Sequence, residues 1–347
     1  MGSEKTFSGR IWNGQGFEDG HLILEDGKVG DVVFGEMLRN PDYSGCIMPG
    51  IVDTHTHVAD AGLRLNRKYS LEELVAPPNG LKHRYLSETD DSKIRKDMGG
   101  YISGLEASGV SRIMDFREGG IDGARLLRSV SDNAVILGRP ISKEYDPNEI
   151  DGILQYADGI GLPSITDMDG KYIDAVAEHV HKKRKMLALH VSERIREDID
   201  HVVSLEPDFI VHMVQATDSD LRKCADNGIP ISVCPSSNLY FGMVPPVGRM
   251  VDAGIEMSIG TDNGMLFPSA DIFDELRTMS RLLKEQGRDP MLAYAMLIAH
   301  GHKVLYKKSL TVDKTGKEAD IIAFPCSEKE LLQGKTEASV RYGPRRG

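Results

Sequence analysis

The sequence has few of the features that mark secreted, membrane or nucleic-acid-binding proteins. Its four cysteines are scattered and form no C-x-x-C pair, so we expect no disulfides and a reducing, cytoplasmic location. No apolar run approaches the roughly 20 residues that cross a bilayer, and the first residues lack the charged-then-apolar pattern of a signal peptide. The net charge of −11, without a basic stripe, argues against a nucleic-acid partner.

Both chain ends predict a small β-structure. Short β-type runs at residues 6–12, 21–24 and 29–34 are separated by dipeptides typical of hairpin turns, namely Asn13-Gly14, Asp19-Gly20 and Asp26-Gly27. Near the other end, residues 316–320 lead into a short apolar run at 321–324. We therefore expect a small β-sandwich built from residues 1–47 and 304–347.

The middle of the chain alternates short apolar strands with amphipathic helices. Eight strands are predicted at residues 47–52, 111–116, 134–139, 157–162, 186–190, 209–212, 229–234 and 256–260. Helices are predicted between them, for example at 172–184, 218–227 and 271–286. This alternation favours an α/β fold with a parallel sheet. Eight strands favour a closed (β/α)8 TIM-type barrel, which we place at residues 48–303.

The predicted strand ends recur at a regular interval. The interval is 22 residues within two sets of three: Arg117, Arg139 and Gly161, and His190, His212 and Cys234. A βα unit with short loops needs about this much chain. In a barrel of this type chemistry gathers at the carboxyl ends of the strands, where many of these polar side chains would lie.

Two histidines, His55 and His57, follow the first predicted barrel strand. On a strand, residues i and i+2 face the same side, so both imidazoles can bind one divalent metal ion. On a helix the same spacing places them about 200° apart. The pairs at 179/181 and 300/302 have helical surroundings. We interpret them as surface or helix-capping histidines, with Gly301 as a helix stop.

Further metal-binding and acid–base candidates lie at other strand ends. His190 ends its strand and Glu193 follows three residues later, while His212 and Asp262 end two other strands. Singly, each has an ordinary structural explanation, such as a buried strand-end histidine, a helix N-cap or an exposed first-turn carboxylate. Together at one barrel mouth, three histidines and a carboxylate are enough for a catalytic metal that keeps a position open for water.

These motifs resemble those of the amidohydrolase superfamily, in particular its cytosine deaminase, guanine deaminase and chlorohydrolase branch. The matching stretches are residues 49–57, 190–193, 211–212, 234–238 and 260–263, and residues 316–321 are similar to the family's C-terminal return strand. The similarity covers nearly the whole chain. The first loop, residues 58–86, departs from the usual deaminase pattern, so the identity of the substrate is not carried over.

The resemblance implies roles for individual residues. One metal ion would be bound by four side chains: His55, His57, His190 and Asp262. Zinc is preferred to iron, although ligand types alone do not separate the two. Glu193 would move protons, His212 would contact the metal-bound hydroxide or the substrate, and Asp262 would also serve in catalysis. Relatives with two metals carry a carboxylated lysine at the end of the fourth strand. Residues 157–162 contain no lysine, so one metal is expected.

The implied reaction is hydrolytic deamination of an amino-substituted heterocycle, such as a nucleobase, nucleoside or pterin-like ring, by a metal-bound hydroxide. Cyclic-amide hydrolysis and loss of another leaving group, such as halide, are alternatives on the same machinery. A non-catalytic scaffold is disfavoured because the ligand set is complete. The expected partner is a small heterocyclic substrate, with no nucleic acid and no membrane. A homo-oligomer is left open.

Substrate contacts are expected from three residues at the barrel mouth: Arg117, Arg139 and Asn238. A planar guanidinium suits a carboxylate or phosphate, so a functional arginine would indicate a substrate with an anionic or strongly accepting group. The alternative is that each arginine pairs with a nearby acid, for instance Glu118 or Glu144, and serves packing only.

Overall fold

A computed structural model describes residues 4–76, 79–312, 320–334 and 340–342. The chain divides into two compact units. The first unit comprises Met1–Val52, Glu106–Ser111 and Ile272–Gly347, and the second comprises Asp53–Leu105 and Arg112–Asp271. Residues 316–319, part of the predicted return strand, lie outside the described residues, as do Pro77 and Pro78 of the first loop.

The strands of the described residues are, in chain order, β1 (Glu4–Trp12), β2 (Phe17–Glu25), β3 (Lys28–Phe34), β4 (Tyr43–Pro49), β5 (Ile51–His57), β6 (Val110–Arg117), β7 (Ala134–Gly138), β8 (Gly159–Leu162), β9 (Met186–Val191), β10 (Phe209–His212), β11 (Ile231–Val233), β12 (Met257–Ile259), β13 (Asp262–Asn263), β14 (Ile321–Phe324) and β15 (Val340–Tyr342).

The α-helices are α1 (Leu71–Val75), α2 (Leu81–Glu88), α3 (Asp91–Ala107), α4 (Gly120–Arg128), α5 (Pro147–Leu154), α6 (Gly170–Lys182), α7 (Ile199–Ser204), α8 (Asp218–Asp226), α9 (Pro235–Tyr240), α10 (Val247–Asp252), α11 (Ile272–Glu285), α12 (Leu292–Ala295), α13 (Gly301–Tyr306) and α14 (Glu328–Leu332). None of the described helices is long and apolar enough to cross a bilayer.

Strands from both chain ends form one six-stranded sheet, in the order β15-β14-β4-β1-β2-β3. Strands β1 and β2 pair antiparallel along their whole length, and β14 pairs antiparallel with β4. Alternate side chains, such as Phe7, Leu22 and Ile47, are buried in its core. The contribution of both ends agrees with the sequence-based expectation. A second, packed sheet and the domain boundaries at 47/48 and 303/304 stay predictions.

Not all of the dipeptides that were predicted to form hairpin turns in this sheet do so. Asp26 and Gly27 connect β2 to β3 with φ angles of 51° and 76°, as a tight hairpin turn requires. Asp19 and Gly20, in contrast, lie inside β2 and pair with β1. Glycine is needed at position 20 because a Cβ there would lie 2.6 Å from the Val33 carbonyl oxygen. A close approach between backbones, rather than a turn, explains this glycine.

The central strands form a nine-stranded sheet in the order β12-β11-β10-β9-β8-β7-β6-β5-β13. Its registers are parallel, for example between β9 and β10 and between β13 and β5. The two ends of this order, β12 and β13, are separated by only Gly260 and Thr261, so the sheet returns on itself. This curled parallel sheet is consistent with the predicted TIM-type barrel. Each of the eight predicted strands overlaps an observed strand.

The other two H-x-H pairs lie on helices, as expected, but His179 and His302 are not surface residues. His179 is 9% exposed in α6, where its ring contacts Tyr145 and Asp151. His302 is 1% exposed in α13, and its Nε2 lies 2.7 Å from the Gly50 carbonyl oxygen. Gly301 does not stop a helix, because it has a helical φ of −56° and begins α13. The expectation for Gly301 was therefore wrong.

A buried carboxylate, Asp220, stabilises the start of helix α8 in the second unit. Thr217 and Asp220 form a reciprocal capping box at its start. The Asp220 carboxylate, only 1% exposed as a residue, also accepts two hydrogen bonds from the Arg196 guanidinium at 2.7 and 2.8 Å. The Arg196 hydrogen bonds lower the pKa of Asp220 to about 2. The ionised carboxylate is thus favoured in the folded state.

We predict that Asp220→Asn destabilises the protein by about 1 kcal/mol or more at neutral pH, the usual cost of losing a cap. Because the folded-state pKa is depressed, the stabilisation is present above about pH 4 and is lost as the pH falls towards 2. Urea unfolding at several pH values measures the difference. Asp226→Asn, at the exposed end of the same helix, is the control and should change stability little. If the native protein and Asp220→Asn still differ in unfolding free energy near pH 2, the ionised Asp220 carboxylate is not the source of the stabilisation.

Candidate active site

His55 and His57 project from β5, a strand in which every residue is buried. Their rings lie 4.9 Å apart, centroid to centroid, as expected for residues i and i+2 on one face. The Nδ1–H of His57 donates to the Phe116 carbonyl oxygen at 2.9 Å. This hydrogen bond leaves Nε2 unprotonated and available to a metal.

His190 joins the pair from β9, which three strands separate from β5 in the sheet order, and its ring centroid lies 4.8 Å from that of His55. Its Nδ1–H donates to the Leu162 carbonyl oxygen at 2.9 Å, which again leaves Nε2 as the free ligand atom. One ligand atom each from His55, His57 and His190 lies within 4.8 Å of the others. A second set with the same limit consists of His55, His212 and Asp262. The sequence-predicted histidines and Asp262 therefore form two overlapping sets that share His55.

The cluster fits a divalent metal ion, and His55 provides the strongest evidence. This residue is fully buried, yet neither ring nitrogen has a hydrogen-bond partner among the described residues. Its Nε2 lies 3.4 Å from Asp262 Oδ1, too far for a good hydrogen bond. Burial lowers the pKa of His55 to about 3, so the imidazole is neutral, as a ligand must be.

The approach of Asp262 to His55 requires glycine at position 260. A Cβ on Gly260 would lie 2.7 Å from the His55 Cβ and 2.9 Å from the His55 backbone nitrogen and oxygen. After this close contact, Asp262 adopts a left-handed φ of 60° and pairs with Thr56 of β5. The turn places Asp262 Oδ1 3.6 Å from the Nε2 of His57.

Asp262 is oriented by two neighbours that were not predicted as site residues. Ser237 donates its hydroxyl to Asp262 Oδ2 at 2.5 Å, and Asn263 Nδ2 donates to Oδ1 at 2.8 Å. Burial alone would raise the pKa of Asp262, but the surrounding histidines, His55 first, hold it well below the ordinary value. Ser237 and Asn263 both lie in stretches that resemble the amidohydrolase motifs, residues 234–238 and 260–263. Their position in these motifs was the sequence feature that could have identified them as site residues.

Glu193 and His212 lie next to the cluster. Glu193 Oε1 is 3.7 Å from His212 Nε2 and accepts a hydrogen bond of 3.4 Å from Asn238 Nδ2. Asn238 Nδ2 is also 3.2 Å from His212 Nδ1, so this amide spans the acid and the histidine. Burial raises the pKa of the Glu193 carboxyl, and the opposing effect of His212 does not cancel the shift.

Glu193 follows a strained connection held by a buried acid. Ser192 has a left-handed φ of 49°. Its backbone N–H donates to Glu197 Oε2 at 2.6 Å, and its hydroxyl accepts from the Glu197 backbone N–H at 3.0 Å. Glu197 is only 4% exposed and was not predicted as a site residue. We interpret it as the support that fixes the direction of the segment carrying Glu193.

A cavity of about 200 Å³ opens onto the histidines and Glu193. Arg139 lines it, and its buried Nε has no hydrogen-bond partner among the described residues. Arg117 is not a lining residue; its Nε donates to the Gly123 carbonyl oxygen at 3.1 Å, and its Nη1 lies 3.9 Å from Glu118. The two arginines, which were predicted to have the same role, therefore differ: Arg139 lines the cavity and Arg117 does not.

The family model of the amidohydrolase family matches residues 46–340 of the chain. An uncharacterised protein of Methanocaldococcus jannaschii is 31% identical over 295 residues, which cover 78% of this chain and 77% of that protein. A 5'-deoxyadenosine deaminase of Methanosarcina acetivorans is 24% identical over 357 residues, covering 90% and 81%. The fold is similar to a zinc-bound adenosine deaminase structure from Xanthomonas campestris, with a TM-score of 0.69, 16% identity and coverage of 92% and 84%.

We predict that His55→Ala and Asp262→Ala each lower the bound metal well below one ion per chain, because each removes a converging ligand atom. Metal analysis of purified, metal-loaded protein measures this. His179→Ala and His302→Ala are matched controls, since both histidines are buried but hydrogen-bonded elsewhere. Equal metal loss from the controls would refute the ligand assignment.

Proposed function

Since the chain belongs to the amidohydrolase family, whose deaminase-named relatives it resembles, it is a metal-dependent hydrolase of C–N bonds, and we propose that it deaminates an amino-substituted heterocycle. A nucleobase, nucleoside or pterin-like ring would suit this chemistry. The proposed metal ligands are His55, His57, His190 and Asp262. Zinc is the proposed ion, in line with the zinc-bound adenosine deaminase of similar fold.

The observation that carries this proposal is the placement of Glu193. Its side chain is 20% exposed, lines the cavity and lies beside the histidine cluster. The raised pKa of its carboxyl favours a form that can hold and release a proton. Deamination needs such a group, because a ring nitrogen must gain a proton before ammonia can leave.

A divalent ion held by these ligands would supply an activated water as the nucleophile. The other steps fall to the chain's own side chains. Glu193 would transfer protons to the ring nitrogen and then to the leaving amino group. His212, whose Nδ1 is 3.2 Å from Asn238, would contact the attacking oxygen or the substrate and stabilise the charge that develops on it.

Ammonia release from a panel of purines, pyrimidines, pterins and nucleosides, with metal-loaded protein, tests the proposed reaction. A substrate that is hydrolysed without ammonia release would instead favour cyclic-amide hydrolysis or a chlorohydrolase-type reaction. Metal-free protein that remains folded gives the background rate of ammonia release. No turnover of any ring by fully loaded protein would leave the scaffold alternative and contradict the proposal.

We predict that Glu193→Gln retains the metal but loses turnover by at least about 10²-fold, the usual scale of general acid–base catalysis. The amide has the same size but cannot transfer a proton. His212→Asn should also reduce turnover while keeping most of the metal. Steady-state kinetics and metal analysis on the same preparations make the comparison. Near-normal turnover of Glu193→Gln would mean that the carboxylate is structural.

Arg139 supports a more specific proposal, that the substrate carries an anionic group beside its ring. Its buried Nε has no hydrogen-bond partner among the described residues, and its charge acts on Glu118 only as one of several cations that lower the pKa of that acid. Buried or half-buried arginines usually have a closer partner. Arg194, also at the cavity, differs because it lies 3.6 Å from Glu72 and is half exposed. A carboxylate or phosphate on the substrate would provide the missing partner of Arg139.

We predict that Arg139→Met raises KM for an anionic substrate by about 10-fold or more, the scale of one charge-assisted hydrogen bond. A neutral analogue lacking the anionic group should be affected much less. Arg194→Met is the matched control and should change both KM values little. Equal weakening of both substrates by Arg139→Met would assign the arginine to the scaffold.

A further inference from the structure

Lys82 is a buried lysine in the wall of the candidate active site. It lies near the start of α2, in the loop that follows β5, and its side chain is only 3% exposed. Lysine side chains are seldom buried this deeply unless their charge is paired. The ammonium group is close to three oxygen atoms: Glu118 Oε1 at 2.7 Å, Asn263 Oδ1 at 3.1 Å and Asp60 Oδ2 at 3.4 Å.

The two carboxylates around Lys82 have few other partners. Both Glu118 oxygens and Asp60 Oδ2 are buried and form no hydrogen bond with the described residues, so their contacts to Lys82 are ion pairs. Glu118 also lies 3.9 Å from Arg117. Lys82 is therefore the base that ion-pairs with both acids. Burial raises the pKa of the Glu118 carboxyl, but Lys82, His57 and Arg139 together hold it well below the ordinary value.

This oxygen-lined position touches the histidine cluster on two sides. Glu118 Oε1 lies 3.0 Å from His57 Nδ1, and Asn263 donates its Nδ2 to Asp262 Oδ1. Two carboxylates and an amide oxygen are ligands that hard divalent cations such as Mn²⁺ and Mg²⁺ prefer. The three N–H donors of the ammonium group match the three oxygens in number.

We propose that Lys82 acts as a built-in second cation. Its ammonium group occupies an oxygen-lined cation position beside the histidine cluster and thereby restricts the centre to one divalent ion. Truncation of Lys82 would open this position to a divalent cation that prefers oxygen ligands. The proposal concerns cation binding alone and does not depend on which substrate the enzyme hydrolyses.

The test measures how many Mn²⁺ ions bind to zinc-loaded protein in equilibrium dialysis. The native protein should bind no Mn²⁺ tightly beyond its zinc, whereas Lys82→Ala should bind about one additional Mn²⁺ per chain. The double variant Lys82→Ala/Glu118→Gln should bind it at least about tenfold more weakly, because one charged ligand is lost. Propylammonium chloride, which restores the missing ammonium group, should displace the additional Mn²⁺.

Lys185→Ala is the matched control, because Lys185 is a partly buried lysine that donates to a backbone carbonyl at 3.3 Å. Additional Mn²⁺ bound equally by this variant would show nonspecific uptake and overturn the proposal. A folded Lys82→Ala protein with no additional Mn²⁺ would also overturn it. If Lys82→Ala does not fold alone, refolding with Mn²⁺ or propylammonium should restore near-UV circular dichroism. Failure of both cations to do so would refute the assignment.

Discussion

The close passage of Gly260 over His55 is the contact on which the site depends. The chain comes so near that any side chain at position 260 would collide with the His55 backbone and Cβ. This approach lets Asp262 pair with β5 and brings its carboxylate to the two histidines of that strand. The same short segment connects β12 to β13, the two end strands of the curled sheet. The curled course of the sheet and the assembly of the histidine cluster therefore depend on the same contact.

Three strand ends of the candidate site carry left-handed residues. Ser192, His212 and Asp262 all have left-handed φ angles of 49°, 75° and 60°. Such a conformation costs a residue other than glycine on the order of 1–3 kcal/mol. The cost is offset by specific hydrogen bonds, including those from Ser192 to Glu197 and from Ser237 to Asp262. The strained residues turn the chain sharply at positions where Glu193, His212 and Asp262 line the cavity.

Charge balance is the second constraint on this part of the molecule. Burying an unpaired carboxylate is costly, so each buried acid near the cluster has a defined partner. Asp53 accepts a hydrogen bond from the Thr261 hydroxyl, and burial raises the pKa of its carboxyl to about 7. Asp115 accepts hydrogen bonds from the Thr56 hydroxyl and the Val58 backbone N–H. Two cations differ from this arrangement: Arg139, whose Nε has no hydrogen-bond partner among the described residues, and Lys82, which two acids enclose.

Much of the site could be predicted from the sequence because it depends on local pattern. Strand periodicity placed His55 and His57 on one face, and the ends of successive strands located His190, His212 and Asp262. Hydrophobic runs located all eight central strands to within a few residues. Local pattern was less informative where a residue's role came from packing, as with Gly20 inside β2, Gly301 inside a helical segment and the buried His302.

Only the tertiary structure determines the burial and the ion pairs of charged residues whose partners are distant in the chain. Lys82 sits beside His83 and Arg84 in a polar segment, where its sequence resembles an exposed helix. Its burial follows from Asn263, 181 residues away, together with Asp60 and Glu118. Arg117 and Arg139 end adjacent strands in equivalent sequence contexts, yet one is packed and the other faces the cavity. The sequence determines which residues lie at the carboxyl ends of the strands, because strand periodicity is local. The curling of the sheet decides which of them pair, because ion pairing depends on distances that only the folded chain sets.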